Sequence, residues 1–265
     1  MTRRLILRPG AIGDTLVSLP ALESLRTDAT ELWAPSVNLP LLSHLGSTQS
    51  LVSAGVDALR LSPATLNRLA RFDDIVSWYG ATREDFRAQV QHLPFRFFTA
   101  LPPTGSTLHA VDYYLDQAGA PLGAIPRLPI DHRPEGFAVI HPFSGGRSKN
   151  WPLARFQEVA RRLPLPVNWC AGPEETLDEA IRFNDLGALA RWLATASLYI
   201  GNDSGISHLA AACGVPVVAV FGPTDPAIWA PRGRHVCVAA WDWPPERVAA
   251  EASALLTASA GTRFL

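Results

Sequence analysis

The chain has 265 residues, of which 48% are apolar and 18% charged, and its formal net charge is −1. That balance excludes a disordered or collagen-like chain and a disulfide mini-scaffold, and the lack of a basic or acidic tail argues against nucleic acid as a partner. No apolar run approaches the ~20 residues of a membrane span, and the length suits one large domain or two small ones.

The first eight residues have the charge of a signal n-region, but Arg8 and Asp14 interrupt any apolar core, so a signal peptide is rejected. Residues 4–8 read as a short strand, residues 9–13 as a breaker-rich turn, and Asp14 as the N-cap of a helix carrying Leu16, Leu19, Leu22 and Leu25. Strands are expected at 31–34, 50–53, 74–79 and 95–98, and a helix over 108–119 closes the first half. Pro121, Pro126, Pro129 and Pro134 mark residues 120–135 as a linker.

The rhythm then restarts. A strand at 137–141 leads into a Gly/Ser loop and a helix from Pro152, followed by strands at 166–171 and 197–200. Residues 201–205 open a helix through Ala212, and residues 216–221 form a nearly pure apolar run, as in a strand buried on both faces. The turn after it starts a short helix capped by Thr224 or Asp225. Strands alternating with helices imply parallel sheets. The fold class is therefore α/β: two Rossmann-like lobes, 1–125 and 136–265, with a central cleft and a last helix free to pack back on the first lobe.

In such sheets ligands sit at the carboxyl ends of the strands, and the candidate residues fall there. Gly13 and Asp14 follow the first strand: glycine lets the backbone approach a ligand, and the carboxylate is either a general base for a hydroxyl or simply a cap. Ser144, Gly145, Arg147, Ser148 and Lys149 form a loop rich in N–H, hydroxyl and positive charge, which suits a phosphate or is an ordinary surface loop. Lys149 is the sole lysine among 23 basic residues, so its site either needs a compact point charge or reflects an arginine-biased composition. Asp203, Ser204 and Gly205 stand at a helix N-terminus, where backbone N–H groups favour an anion. His208 shares a helical face with Ser204, as a ligand contact or a core histidine. Glu174 and Glu175 follow the strand ending at Ala171, as ribose-binding acids or as acids of a first helical turn. Cys170, Cys213 and Cys237 lack metal or disulfide spacing and read as buried thiols of a reducing cytoplasm.

Together these stretches resemble glycosyltransferase family 9, the heptosyltransferases of lipopolysaccharide assembly. LILRPGAIGDTLVSLPAL at 5–22, HPFSGGRSKNWPLARFQEVA at 141–160, AGPEE at 171–175 and GNDSGISHLAAACGVPVVAVFGPTDPAIWAP at 201–231 carry the resemblance. It implies a GT-B fold and an inverting, metal-independent transfer of a sugar, heptose first, from a nucleoside-diphosphate sugar such as ADP-heptose to a lipopolysaccharide-core or other saccharide or glycolipid acceptor. It implies no cofactor. By the same resemblance Asp14 is the general base and Lys149 neutralises the leaving diphosphate. Gly13, Ser144, Gly145, Glu174 ahead of Glu175, Asp203, Ser204, Gly205 and His208 bind the donor, and the shortened first lobe grips the acceptor. A non-catalytic nucleotide-sugar-binding module and a sugar-nucleotide epimerase or hydrolase stand as alternatives, since fold does not fix function. Phe95, Phe97, Phe98 and Leu101 beside Arg96 read first as a buried strand and second as a peripheral contact with the inner membrane.

Overall fold

The computed structural model describes residues 2–261. The chain divides into two compact units, Met1–Ala124 and Ile125–Leu265. The first contains β1 (Arg3–Leu7), α1 (Ile12–Val17), α2 (Leu19–Ser24), β2 (Ala29–Ala34), α3 (Leu39–Leu42), β3 (Ser47–Ser50), α4 (Pro63–Leu69), β4 (Asp74–Ser77), α5 (Glu84–Val90), β5 (Phe95–Phe97) and α6 (Ala110–Gln117). The second contains β6 (Ala138–His141), α7 (Leu153–Arg162), β7 (Val167–Trp169), α8 (Leu186–Leu193), β8 (Leu198–Asn202), α9 (Gly205–Ala212), β9 (Val217–Phe221), α10 (Pro226–Trp229), β10 (Val236–Ala240) and α11 (Pro245–Gly261). Among these residues no helix is long and apolar enough to cross a membrane.

Each unit builds one parallel five-stranded sheet, in the order β3-β2-β1-β4-β5 in the first and β10-β9-β8-β6-β7 in the second. Every residue of β6, β8 and β9 is buried, because helices cover both faces of such a sheet and no polar alternation survives. The strand order reverses once per unit, between β1 and β4 and between β6 and β8. In parallel α/β sheets these switch points, at the carboxyl ends of the strands, are where ligands bind. Asp14 lies just past β1, while the 142–152 loop and Asp203 lie just past β6 and β8.

The leucine period from 16 to 25 is real, and all four side chains are buried. It runs over two helices rather than one. Pro20 has no N–H to give, and the ladder breaks at Ser18, which caps α2. The strand expected at 50–53 ends instead at Ser50, and Leu51 and Ala54 turn in onto the core of the first unit. β5 is an edge strand whose Phe95 and Phe97 are half-buried against that core. In the proline-rich stretch, Leu128 N–H donates to Ala212 O at 2.9 Å and Arg133 N–H to Ala194 O at 2.9 Å, so its later part lies against the second unit. α11 packs on α7 and on β8, β9 and β10.

Candidate active site

In the first unit the site rests on a buried arginine. Arg8 is 1% exposed at the end of β1. Its Nε donates to Ser18 Oγ at 2.8 Å, Nη1 to Pro9 O at 2.8 Å and Nη2 to Asp14 O at 2.6 Å. The guanidinium lies 5.5 Å from the Trp78 ring centre and 4.8 Å from that of Tyr114, two cation–π contacts. Burial pulls the Arg8 pKa down from its ordinary value, against the attraction of Tyr114 and Asp14. One fork thus ties the strand end, the turn and the α1–α2 junction together.

Asp14 is not the N-cap. That position is Ala11, and Asp14 is the third residue of α1, reaching back so that Ala11 N–H donates to its Oδ2 at 2.8 Å. The glycine under constraint is Gly10, not Gly13: Gly10 has φ +110°, and a Cβ there would meet Asp14 Cβ and Oδ2 at 2.8 Å. Gly13 lies within α1. Asn38 Nδ2 donates to Thr15 Oγ1 at 2.8 Å and to Gly10 O at 3.1 Å, holding the far side of the turn.

In the second unit the structure brings the lysine of the loop after β6 to the aspartate before α9: Lys149 Nζ donates to Asp203 Oδ2 at 2.7 Å. Lys149 stands on a single 3-10 turn, Arg147–Lys149, and Trp151 N–H donates to Asn202 Oδ1 at 2.9 Å, which fixes that loop to the end of β8. Ser204 caps α9, accepting from Ser207 N–H, and Gly205 opens the helix. His208, on α9, is 8% exposed. Ser144 Oγ lies 2.8 Å from both Gly146 O and Asn150 Oδ1, so its proton is engaged within the loop. Gly145 is exposed with open space where a Cβ would be.

Glu174 and Glu175 sit in a turn rather than at the start of a helix, so the helix-dipole explanation falls away. Glu174 is exposed, whereas Glu175 Oε2 accepts from His141 Nε2 at 3.0 Å and from Gly172 N–H at 2.5 Å. Burial alone would raise the Glu175 carboxyl, but these donors and the nearby Arg182 outweigh it and hold it below the ordinary carboxylate value. Burial pushes the Cys170 and Cys213 thiols up to about 12, which suits inert buried cysteines.

Sequence reasoning missed Arg8, His141 and Asn202 as site residues. Each is a polar side chain at the last position of an apolar strand or just beyond it, and that placement was the available signal. Among the described residues Asn202 Nδ2 and His141 Nδ1 are buried without a partner, a cost proteins rarely carry for packing alone.

Two Rossmann-like units with parallel sheets define the GT-B class, and solved structures agree. A heptosyltransferase described as "E. coli ADP-heptose lps heptosyltransferase II" superposes with a TM-score of 0.76 at 18% identity, over 97% of this chain and 99% of that one. A family 9 glycosyl transferase from Veillonella parvula gives 0.73 at 20% identity, over 97% of each chain. Residues 183–251 match the family model described as "Glycosyltransferase family 9 (heptosyltransferase)", which bears out the resemblance carried by the sequence motifs. Lipopolysaccharide heptosyltransferase 1 of Salmonella typhimurium is 34% identical over 116 residues, 37% of this chain and 36% of the relative. Lipopolysaccharide heptosyltransferase 3 of Escherichia coli K12 is 40% identical over 85 residues, 32% of this chain and 22% of the relative. The similarity thus spans roughly a fifth to a third of the length of these curated relatives.

Proposed function

We propose that the chain is an inverting glycosyltransferase that needs no metal and moves a sugar from a nucleoside-diphosphate sugar to a saccharide or glycolipid hydroxyl. The observation that carries the reading is the Lys149–Asp203 ion pair where the strand order of the second sheet reverses, at the mouth of α9. Asp203 is 7% exposed and anchors the ammonium, which is 35% exposed. A lysine has three N–H donors, so one serves Asp203 and two remain for diphosphate oxygens. The first N–H groups of α9 add partial positive charge beside them. This is the electrostatics a departing diphosphate requires.

Asp14 takes the proton of the attacking hydroxyl. Its carboxylate is fixed by the Ala11 amide, and its main chain by Arg8. Glu174 or Glu175 binds the ribose, and Ser144, Gly145, Ser204, Gly205 and His208 complete the donor site. ADP-heptose is the donor of first choice. The supporting neighbour is the E. coli heptosyltransferase WaaC, solved with ADP and with ADP-2-deoxy-2-fluoro heptose, which shares the fold at TM-scores of 0.65 and 0.62. The acceptor of first choice is the lipopolysaccharide core. Calorimetric titration with ADP tests the donor half: wild-type protein binds, and Lys149→Ala binds more weakly. Equal affinity of the two would remove Lys149 from the diphosphate site.

A further inference from the structure

We infer that His141 is a positioning residue that aims the Glu175 carboxylate at the vicinal hydroxyls of the nucleotide ribose, and so sets preference for a ribonucleotide. The inference rests on the proposed donor site and adds to it a residue, His141, and a choice of Glu175 over Glu174.

His141 ends β6, a strand whose four residues are all buried, and pairs in register with Gly201 of β8. It therefore stands where the sheet order reverses, at the end of a fully buried strand. Its side chain is 5% exposed and that of Glu175 28%. A carboxylate only accepts, so the imidazole donates through Nε2. Nδ1 is buried and has no partner among the described residues. An imidazole that leaves one nitrogen orphaned is costly as core filling, and its one strong bond is the one to Glu175.

Both donors, His141 Nε2–H and the Gly172 amide, fall on the same oxygen, Oε2. Oε1 keeps its lone pairs for a ligand. A cis-diol presents two adjacent O–H donors and is matched by an ionised carboxylate held in one orientation. Arg182 Nη2 donates to Glu175 O at 2.9 Å and to Leu177 O at 2.8 Å, which steadies the main chain beneath. Glu174, exposed in the same turn, lacks such a frame.

The experiment compares ADP with 2′,3′-dideoxy-ADP by calorimetry. Wild-type protein should prefer ADP by about 10- to 100-fold, the scale of one or two hydrogen bonds to a charged acceptor. Glu175→Gln should bring the ratio close to one, and Glu174→Gln should leave it intact. His141→Phe and His141→Asn, which differ in bulk but both lack a donor at the Nε2 position, should lower the ratio several-fold while dideoxy-ADP affinity holds. His141→Gln, whose amide reaches that position, should restore much of it. A merely structural histidine would weaken both nucleotides alike. In the wild type, ADP should move the His141 Nε2–H proton resonance and dideoxy-ADP should not, a readout that needs no variant to fold. A folded His141→Phe or His141→Asn with the wild-type ratio, or a resonance that ignores the ribose hydroxyls, overturns the inference. Wild-type protein that binds neither nucleotide removes the donor reading, and the inference with it.

Discussion

Lys149 Nζ and Asp203 Oδ2 lie 2.7 Å apart, although 54 residues separate them in the chain. The contact joins the loop after β6 to the residue after β8, so two motifs that are unremarkable singly form one charged unit at the switch point of the second sheet. The buried partner is the acid, and the half-exposed one is the cation. Lys149→Ala should therefore lower turnover roughly 10²–10³-fold, the scale for one preorganised electrostatic stabiliser. Lys149→Arg should recover only part of this, since a planar fork does not replace a point charge between Asp203 and a phosphate. Asp203→Asn should raise the donor KM by loosening the ammonium. Steady-state kinetics on the three variants checks the set.

Asp14→Asn separates the proposed base from the helix start. Asparagine keeps an oxygen that can accept the Ala11 amide, so stability should change by less than about 1 kcal/mol. Turnover should drop roughly 10²–10⁴-fold, the range for a positioned general base. Urea melts and kinetics on one preparation give both numbers.

Arg8 should matter to stability as well as to the site. Arg8→Met removes the donors to Ser18 Oγ, Pro9 O and Asp14 O and both ring contacts. Buried acceptors left unpaired cost about 1–3 kcal/mol each where water cannot reach them, so a loss of about 3 kcal/mol or more is expected in urea unfolding.

Acid should weaken the 172–175 turn in a way that depends on Glu175. Its folded carboxyl titrates below the ordinary value, so its contribution is complete above the ordinary carboxylate range and disappears as pH falls through the depressed folded value. Unfolding free energy measured from pH 6 downward should fall less steeply in Glu175→Gln than in the wild type. Parallel curves would mean that the His141 and Gly172 bonds do not favour the ionised form.

The alternation of strands and helices was legible because parallel strands covered on both faces leave long apolar runs, as at β9, and their helices carry a clear period. The 201–212 motif also reads correctly as a helix opening at Asp203, Ser204 and Gly205, since these residues before an apolar helix have few other uses. What escaped depends on distant partners. Ser18 reads as an ordinary helical residue until Arg8 bonds it from the strand, and only Pro20 hinted at the break. Asp14 has the composition of an N-cap, but Asn38 and Arg8 fix the preceding turn so that the helix starts earlier, at Ile12. The sequence resemblance puts Glu174 first, and only His141, 34 residues upstream of Glu175, marks out Glu175 instead.

ADP release from ADP-heptose, followed with and without saccharide acceptors, decides whether the chain transfers a sugar. Release should depend on an acceptor, persist in EDTA and fall roughly 10²–10⁴-fold in Asp14→Asn while ADP still binds. Release that proceeds equally without acceptor, or binding without release for every acceptor tried, would contradict a glycosyltransferase and leave a hydrolase or a binding module in its place.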